Sequence, residues 1–138
     1  MTNEAYAKAL EAAWSGEIDL LTSDVRFVVV DGDVYSPDTD NDEFLSDIPS
    51  GAIIGTSDLV TGKSLSGKAF SSSGITFSDS PGDPGSPVVA ELLIGYIDTT
   101  DAATSRLLAK IDTGSNLPVT LNGSVITVLF PDNKIFDL

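Results

Sequence analysis

Cysteine and histidine are both missing from this chain of 138 residues. Without cysteine there is no disulfide and no thiolate nucleophile, and nearly every structural zinc site is excluded. The fold must rely on its core or on oligomerisation. Without histidine the commonest general acid–base group is gone, and so is the usual base of a serine triad. Basic residues are scarce as well, with 7 Lys and Arg against 21 Asp and Glu and a formal net charge of −14. The seven are scattered, so no basic stripe can follow a phosphate backbone, and the overall field repels nucleic acid and anionic membranes. Aromatic residues are few, with one Trp, three Tyr and six Phe, and a core needs most of them. No apolar run has the length of a membrane-spanning helix. The opening residues, MTNEAYAKALEAAW, lack the basic and apolar regions of a secretory signal. These absences predict a soluble chain, made in the cytoplasm, with no nucleic-acid or membrane partner.

What is present is enough apolar material, 41% of residues, to bury a core, so the charge does not imply disorder. The length fits one domain over residues 1–138. Residues 3–15 are predicted to form a helix. Tyr6, Ala9, Leu10, Ala13 and Trp14 make one apolar stripe at helical spacing. Asn3 is placed to cap it, Glu4 to face the positive end of the dipole and to pair with Lys8, and Gly16 to stop it. So short a helix is marginal alone, so Leu10 and Trp14 are expected to pack on the domain's own sheet or on a neighbouring subunit.

From residue 24 to residue 138 the pattern turns to β. The clearest strand is 24–30 (DVRFVVV), rich in β-branched residues. Residues 51–56, 68–70, 75–77, 105–111, 124–130 and 134–138 read as further short strands, with 68–70 and 75–77 expected to pair with each other. The run 88–97 (VVAELLIGYI) reads as one long strand buried on both faces. Segments 78–87 and 112–118 are rich in breakers, and Asn122-Gly123 marks a turn. The resulting fold class is mainly β, an antiparallel sandwich or barrel with one short N-terminal α-helix.

Residues 31–47 hold seven acids and no base: Asp31, Asp33, Asp38, Asp40, Asp42, Glu43 and Asp47. The alternation Asp38, Asp40, Asp42 matches the start of an EF-hand loop. The match then fails, because Glu43 stands where the turn needs Gly and Pro49 where a bidentate Glu is needed. A looser cation site is the sharper reading of this segment, and a solvated acidic loop is the plainer one. No pair of carboxylates stands out for glycoside hydrolysis. Lys63-Ser64 and Lys110 are the residues a Ser–Lys hydrolase would use, but no nucleophile elbow accompanies them. Gly62-Lys63-Ser64 lacks the upstream glycine of a P-loop. The expectation is therefore no enzyme, no catalytic residue, no cofactor and no metal ligand.

Three stretches carry a resemblance. They are 42–49 (DEFLSDIP), 103–112 (ATSRLLAKID), and 117–123 (LPVTLNG) running on to 134–138 (KIFDL). In these the chain resembles a family of small structural proteins of tailed-bacteriophage virions, across nearly its whole length. The motifs hold turn and register residues rather than a catalytic set. The resemblance implies location in the virion and a capsid decoration (cement) protein, binding the outside of the major capsid shell and stabilising it. It implies a homo-oligomer, with a trimer favoured, and the major capsid protein or other virion proteins as partners. The alternative is a head–tail connector, neck, tail or fibre component. A small binding module or hydrolase displayed on the virion is the reading of a different class. An acidic exterior would not compete for a packaged genome. A highly acidic or halophilic host proteome is the competing account of the charge. The N-terminal segment and residues 31–47 are the expected contact regions.

Overall fold

The computed structural model describes residues 4–66, 69–78, 82, 85–86, 88–90, 92–111, 119–129 and 134–137. Its frame is a five-stranded antiparallel sheet built from β1 (Glu4–Ala5), β2 (Val25–Val30), β3 (Ile53–Thr56), β8 (Leu93–Ile97) and β9 (Leu107–Ile111), in the order β1-β9-β8-β2-β3. Three smaller sheets complete the β structure. One pairs β4 (Ser64–Ser66), β5 (Ala69–Ser71) and β12 (Lys134–Asp137), with β5 central. Another pairs β6 (Ile75–Phe77) with β11 (Ile126–Val128), and the last pairs β7 (Val88–Ala90) with β10 (Val119–Leu121). Every pairing among the described residues is antiparallel. The mainly β class with a short N-terminal helix is the one the sequence predicts.

The centre of the large sheet is apolar on both faces. Register places Val25, Phe27 and Val29 opposite Ile97, Gly95 and Leu93 on one face, and Val28 opposite Ile94 on the other. All five residues of β8 are buried, so the sheet must be covered twice. Strand parity in β1 puts Tyr6 on the second face with Lys110 and Ile94, and its amide donates to the Leu108 carbonyl at 2.9 Å. The helix and the acidic segment attach there. The small sheets contribute Phe70, Ile75, Phe77, Leu121, Val128 and Ile135 to the same core cluster.

The helix α1 is shorter than its sequence pattern suggests, spanning Ala7–Trp14. Glu4 and Ala5 are drawn instead into β1 against Lys110 and Ala109, because sheet pairing satisfies their backbone groups. Glu4 consequently pairs with Lys110 at 3.8 Å rather than with Lys8, and Lys8 pairs with Glu11 at 3.5 Å. Asn3 lies outside the described residues. The buried residues of α1 are Ala9 and Ala12. Small side chains let its backbone approach β9, and Trp14, two residues and about 200° on from Ala12, turns outward with 87% of its surface exposed. The expected docking of Trp14 on the domain's own sheet does not occur. Gly16 does end the helix: at φ +82° it forms a Schellman turn, its amide donating to Ala13 and that of Glu17 to Ala12.

Two other expectations are corrected. Strands β5 and β6 do not pair with each other, since each finds a distant partner, β12 or β11. The run 88–97 is two strands in two sheets, β7 with β10 and β8 with β2 and β9. The chain changes sheet where the sequence carries Glu91, the one charge in that run. Strands 51–56, 105–111 and 124–130 form over shorter spans, as β3, β9 and β11, with a short 3-10 turn at Ser50–Ala52 ahead of β3. Gly123, at φ +87°, makes the turn before β11. Most of 78–87 and all of 112–118 lie outside the described residues.

Gly95 shows how closely the sheet is filled. A Cβ there would stand 2.7 Å from the Phe27 ring, which is fully buried and has no room to give. Gly95→Ala is therefore expected to lose about 1–3 kcal/mol through overpacking, read as a lower urea midpoint with an unchanged slope.

Candidate functional site

The acidic segment leaves β2 at Val30 and returns at β3, and its carboxylates are turned largely onto its own backbone. Asp31 Oδ1 accepts from the Asp33 amide at 2.9 Å. Asp38 Oδ1 accepts from the amides of Asp40 and Asn41, both at 3.2 Å, and its Oδ2 from the Asn41 side chain at 2.9 Å. Asp47 Oδ2 accepts from the amides of Glu43 and Phe44 at 2.8 and 3.0 Å. These are Asx turns and caps, the use to which short acidic side chains are suited. The Asn41 side chain, followed by the backbone amides, holds the exposed Asp38 carboxyl below the usual carboxylate range.

Asp42 has a different task. Its Oδ2 accepts from the Asp38 amide at 3.1 Å and from the Tyr35 hydroxyl at 2.6 Å. Tyr35 has one proton and gives it to Asp42, so the Tyr6 hydroxyl, 2.9 Å away, must donate to Tyr35. The chain Tyr6–Tyr35–Asp42 carries a polar line from the N-cap of α1, where it is buried, to the loop. Burial foremost pushes both phenols well above their ordinary range, and for Tyr35 the bond to Asp42 adds to it. Further bonds fasten the segment to the N-terminus: the Ala7 amide to the Thr39 carbonyl at 2.7 Å, and the Thr39 hydroxyl to Glu4 at 3.0 Å.

Arg106 clasps the other end. Its side chain is 11% exposed, with Nη1 3.1 Å from Glu43 and Nη2 3.1 Å from Glu17. Nη1 also reaches the Lys8 carbonyl at 3.5 Å, and the guanidinium carbon lies 5.0 Å from the centre of the Phe44 ring. Beside it the Leu45 amide donates to Ser105, Ser46 to Ala102, and Leu107 to Glu43. Residues 43–46 and 102–107 thus lie against each other. The acids of 31–47 were legible in the sequence. Arg106 as their counter-charge was not singled out, although a lone arginine in the apolar run SRLLAKI marks a base that needs a partner.

The residues weighed for chemistry do not assemble. Asp38, Asp40 and Asp42 do not converge, and no group of three or more acidic side chains among the described residues is gathered to hold a metal ion. Lys63 Nζ donates to the Ser23 carbonyl, and Lys110 is paired with Glu4. Gly62 sits at φ +65° in a turn packed against Ser73, a conformational need rather than a phosphate cradle. A shallow hollow of about 330 Å³ lies at the end of β2, lined by Val30, Asp31, Gly32, Asp33, Ile54 and Val89. The chain matches no known protein family, and no curated protein matches it.

Two outcomes test this arrangement. Arg106→Met leaves Glu17 and Glu43 facing each other without a counter-charge and should cost about 1–3 kcal/mol, and Arg106→Lys should recover only part of it, because an ammonium lacks the planar fork. Urea midpoints of the three proteins decide this. The second concerns pH. All three tyrosines, Tyr96 included, have raised pKa values through burial first of all. A phenol raised in the folded state stabilises fully below its unfolded value of about 10, and that stability is lost as pH climbs beyond it toward the folded value. Tyrosinate absorbance should therefore stay low through pH about 10 and rise only together with loss of the β circular-dichroism signal. A separate, earlier absorbance step would show that a tyrosine titrates in the intact fold.

Proposed function

We propose that this chain is a structural protein of a tailed-bacteriophage virion, and that it serves as a capsid decoration (cement) protein. It binds the exterior of the major capsid shell as a small homo-oligomer, a trimer, and stabilises the shell against internal pressure. It is not an enzyme in this reading and needs no cofactor. The observation that carries the reading is the meeting of residues 43–46, from the stretch 42–49, with residues 102–107, from the stretch 103–112 and its flank: Phe44 and Arg106 face each other in an isolated antiparallel bridge, and Glu43 pairs with Arg106. Motifs that come together to hold layers, with their acids used as turn caps, suit a part selected for shape and durability. Chemistry-bearing motifs would converge on a cleft instead. A strongly anionic exterior supports solubility at the high copy number that decoration demands.

The test is binding and counting. Purified protein should co-sediment with expanded capsids of its phage, and virions lacking it should lose their genomes at lower temperature. Quantitative mass spectrometry of intact virions should give a copy number comparable to that of the major capsid protein. A copy number matching one ring at a single vertex would assign the chain to the neck or tail instead. Absence from purified virions would remove the reading altogether.

A further inference from the structure

Trp14 is the sole tryptophan of the chain and stands 87% exposed at the end of α1. Nothing in the fold requires it there. Ala9 and Ala12 make the helix's buried contacts, and Gly16 ends it. An exposed indole opposes solubility and is the residue type most enriched at the energetic centres of interfaces. Its surroundings are anionic. Glu11, one turn earlier at i−3 and so beside it on the helix surface, has a side chain 69% exposed, and Glu17, just past the helix, one 61% exposed. The last turn of α1 holds no basic residue, so the negative end of the helix dipole is left without a counter-charge from that turn. The nearby bases are engaged: Lys8 pairs with Glu11 at 3.5 Å, and Arg106 with Glu17 and Glu43.

We infer that Trp14, with Glu11 and the C-terminal end of α1, is a docking point for an arginine-bearing segment of a different protein. A guanidinium laid on the indole face gains the cation–π attraction, and its N–H fork reaches the Glu11 carboxylate from the same position. Local charge selects this occupant over the same patch of a second copy, because Glu11 and Glu17 would then meet their own copies and not a cation. The inference names the partner chemistry of the N-terminal contact region proposed above and rests on that reading only for which protein supplies the segment.

The experiment uses the whole protein and a fluorescein-labelled tetra-arginine peptide, with tetra-lysine, tetra-leucine capped by serine, and tetra-glutamate peptides alongside. Binding is read by anisotropy and by Trp14 emission, which reports the site because no other tryptophan exists. Saturable binding of the arginine peptide is expected, weaker for lysine and absent for glutamate. Trp14→Ala should weaken it at least about fivefold, Trp14→Phe by less, and Glu11→Gln about twofold. Trp14 is exposed, so circular dichroism and melting should be unchanged in these variants. Equal binding by Trp14→Ala would overturn the inference, leaving diffuse charge as the cause. Equal binding of the leucine peptide would overturn it in favour of a plain apolar contact. A sedimentation shift from oligomer to monomer in Trp14→Ala would overturn it by assigning the indole to a second copy. Capsid co-sedimentation that persists in Trp14→Ala, alongside lost peptide binding, would separate this site from the virion role itself.

Discussion

A guanidinium that is only 11% exposed must be given negative partners, and Arg106 finds them in two segments far from it in sequence. Glu17 follows the helix and Glu43 sits in the acidic segment. Each carboxylate keeps contact with water, so neither bears the full desolvation cost of a buried ion pair. The Phe44 ring beneath the guanidinium and the Lys8 carbonyl beside it complete the joint. One side chain immediately before β9 thereby ties the sheet, the helix and the loop together. The covering of the sheet's second face depends on that joint, because the helix offers mainly alanines as its buried surface and has little apolar area of its own.

That covering also gives the acidity a structural meaning. A segment with seven carboxylates crossing an apolar sheet could be held off by its own repulsion. Instead Asp31, Asp38, Asp42 and Asp47 accept hydrogen bonds from nearby amides, and Glu43 is neutralised by Arg106. The Tyr6–Tyr35–Asp42 line supplies the polar anchor at the other end. Acids chosen as turn formers raise the net charge as a consequence. The same arrangement leaves Asp33 and Asp40, among the described residues, on the exposed outside of the loop.

An anionic exterior and one outward indole mark the surface of this fold. The virion reading and the arginine-docking reading draw on different features, the clasp and Trp14. Both place the working surface at the N-terminal helix and the segment that flanks it, away from the small sheets.

Strand 25–30, the Gly16 stop, the turn at Gly123 and the mainly β class could be read directly from residues, because each rests on local backbone preference or side-chain alternation. The end of the helix was legible for the same reason, but its start was not, since Glu4 and Ala5 gain more from pairing with β9 than from another turn of helix. Which strands pair was also hidden: Phe70 and Ile75 are neighbours in sequence, yet their strands take partners from the C-terminal part of the chain. Of the helix stripe, Tyr6 and Ala9 are buried as its spacing suggests, while Trp14 turns outward because the close approach to β9 selects the alanines. The excess of acids, the absence of histidine and cysteine, and the strand-rich pattern belong to the sequence by itself. The turns that Asp31, Asp38 and Asp47 cap are local as well. The partners of Arg106 and the exposure of Trp14, by contrast, were decided in three dimensions, because Glu17 and Glu43 lie tens of residues from Arg106 until the packed sheet brings them within hydrogen-bonding distance, and the same packing sets which side of the helix faces out.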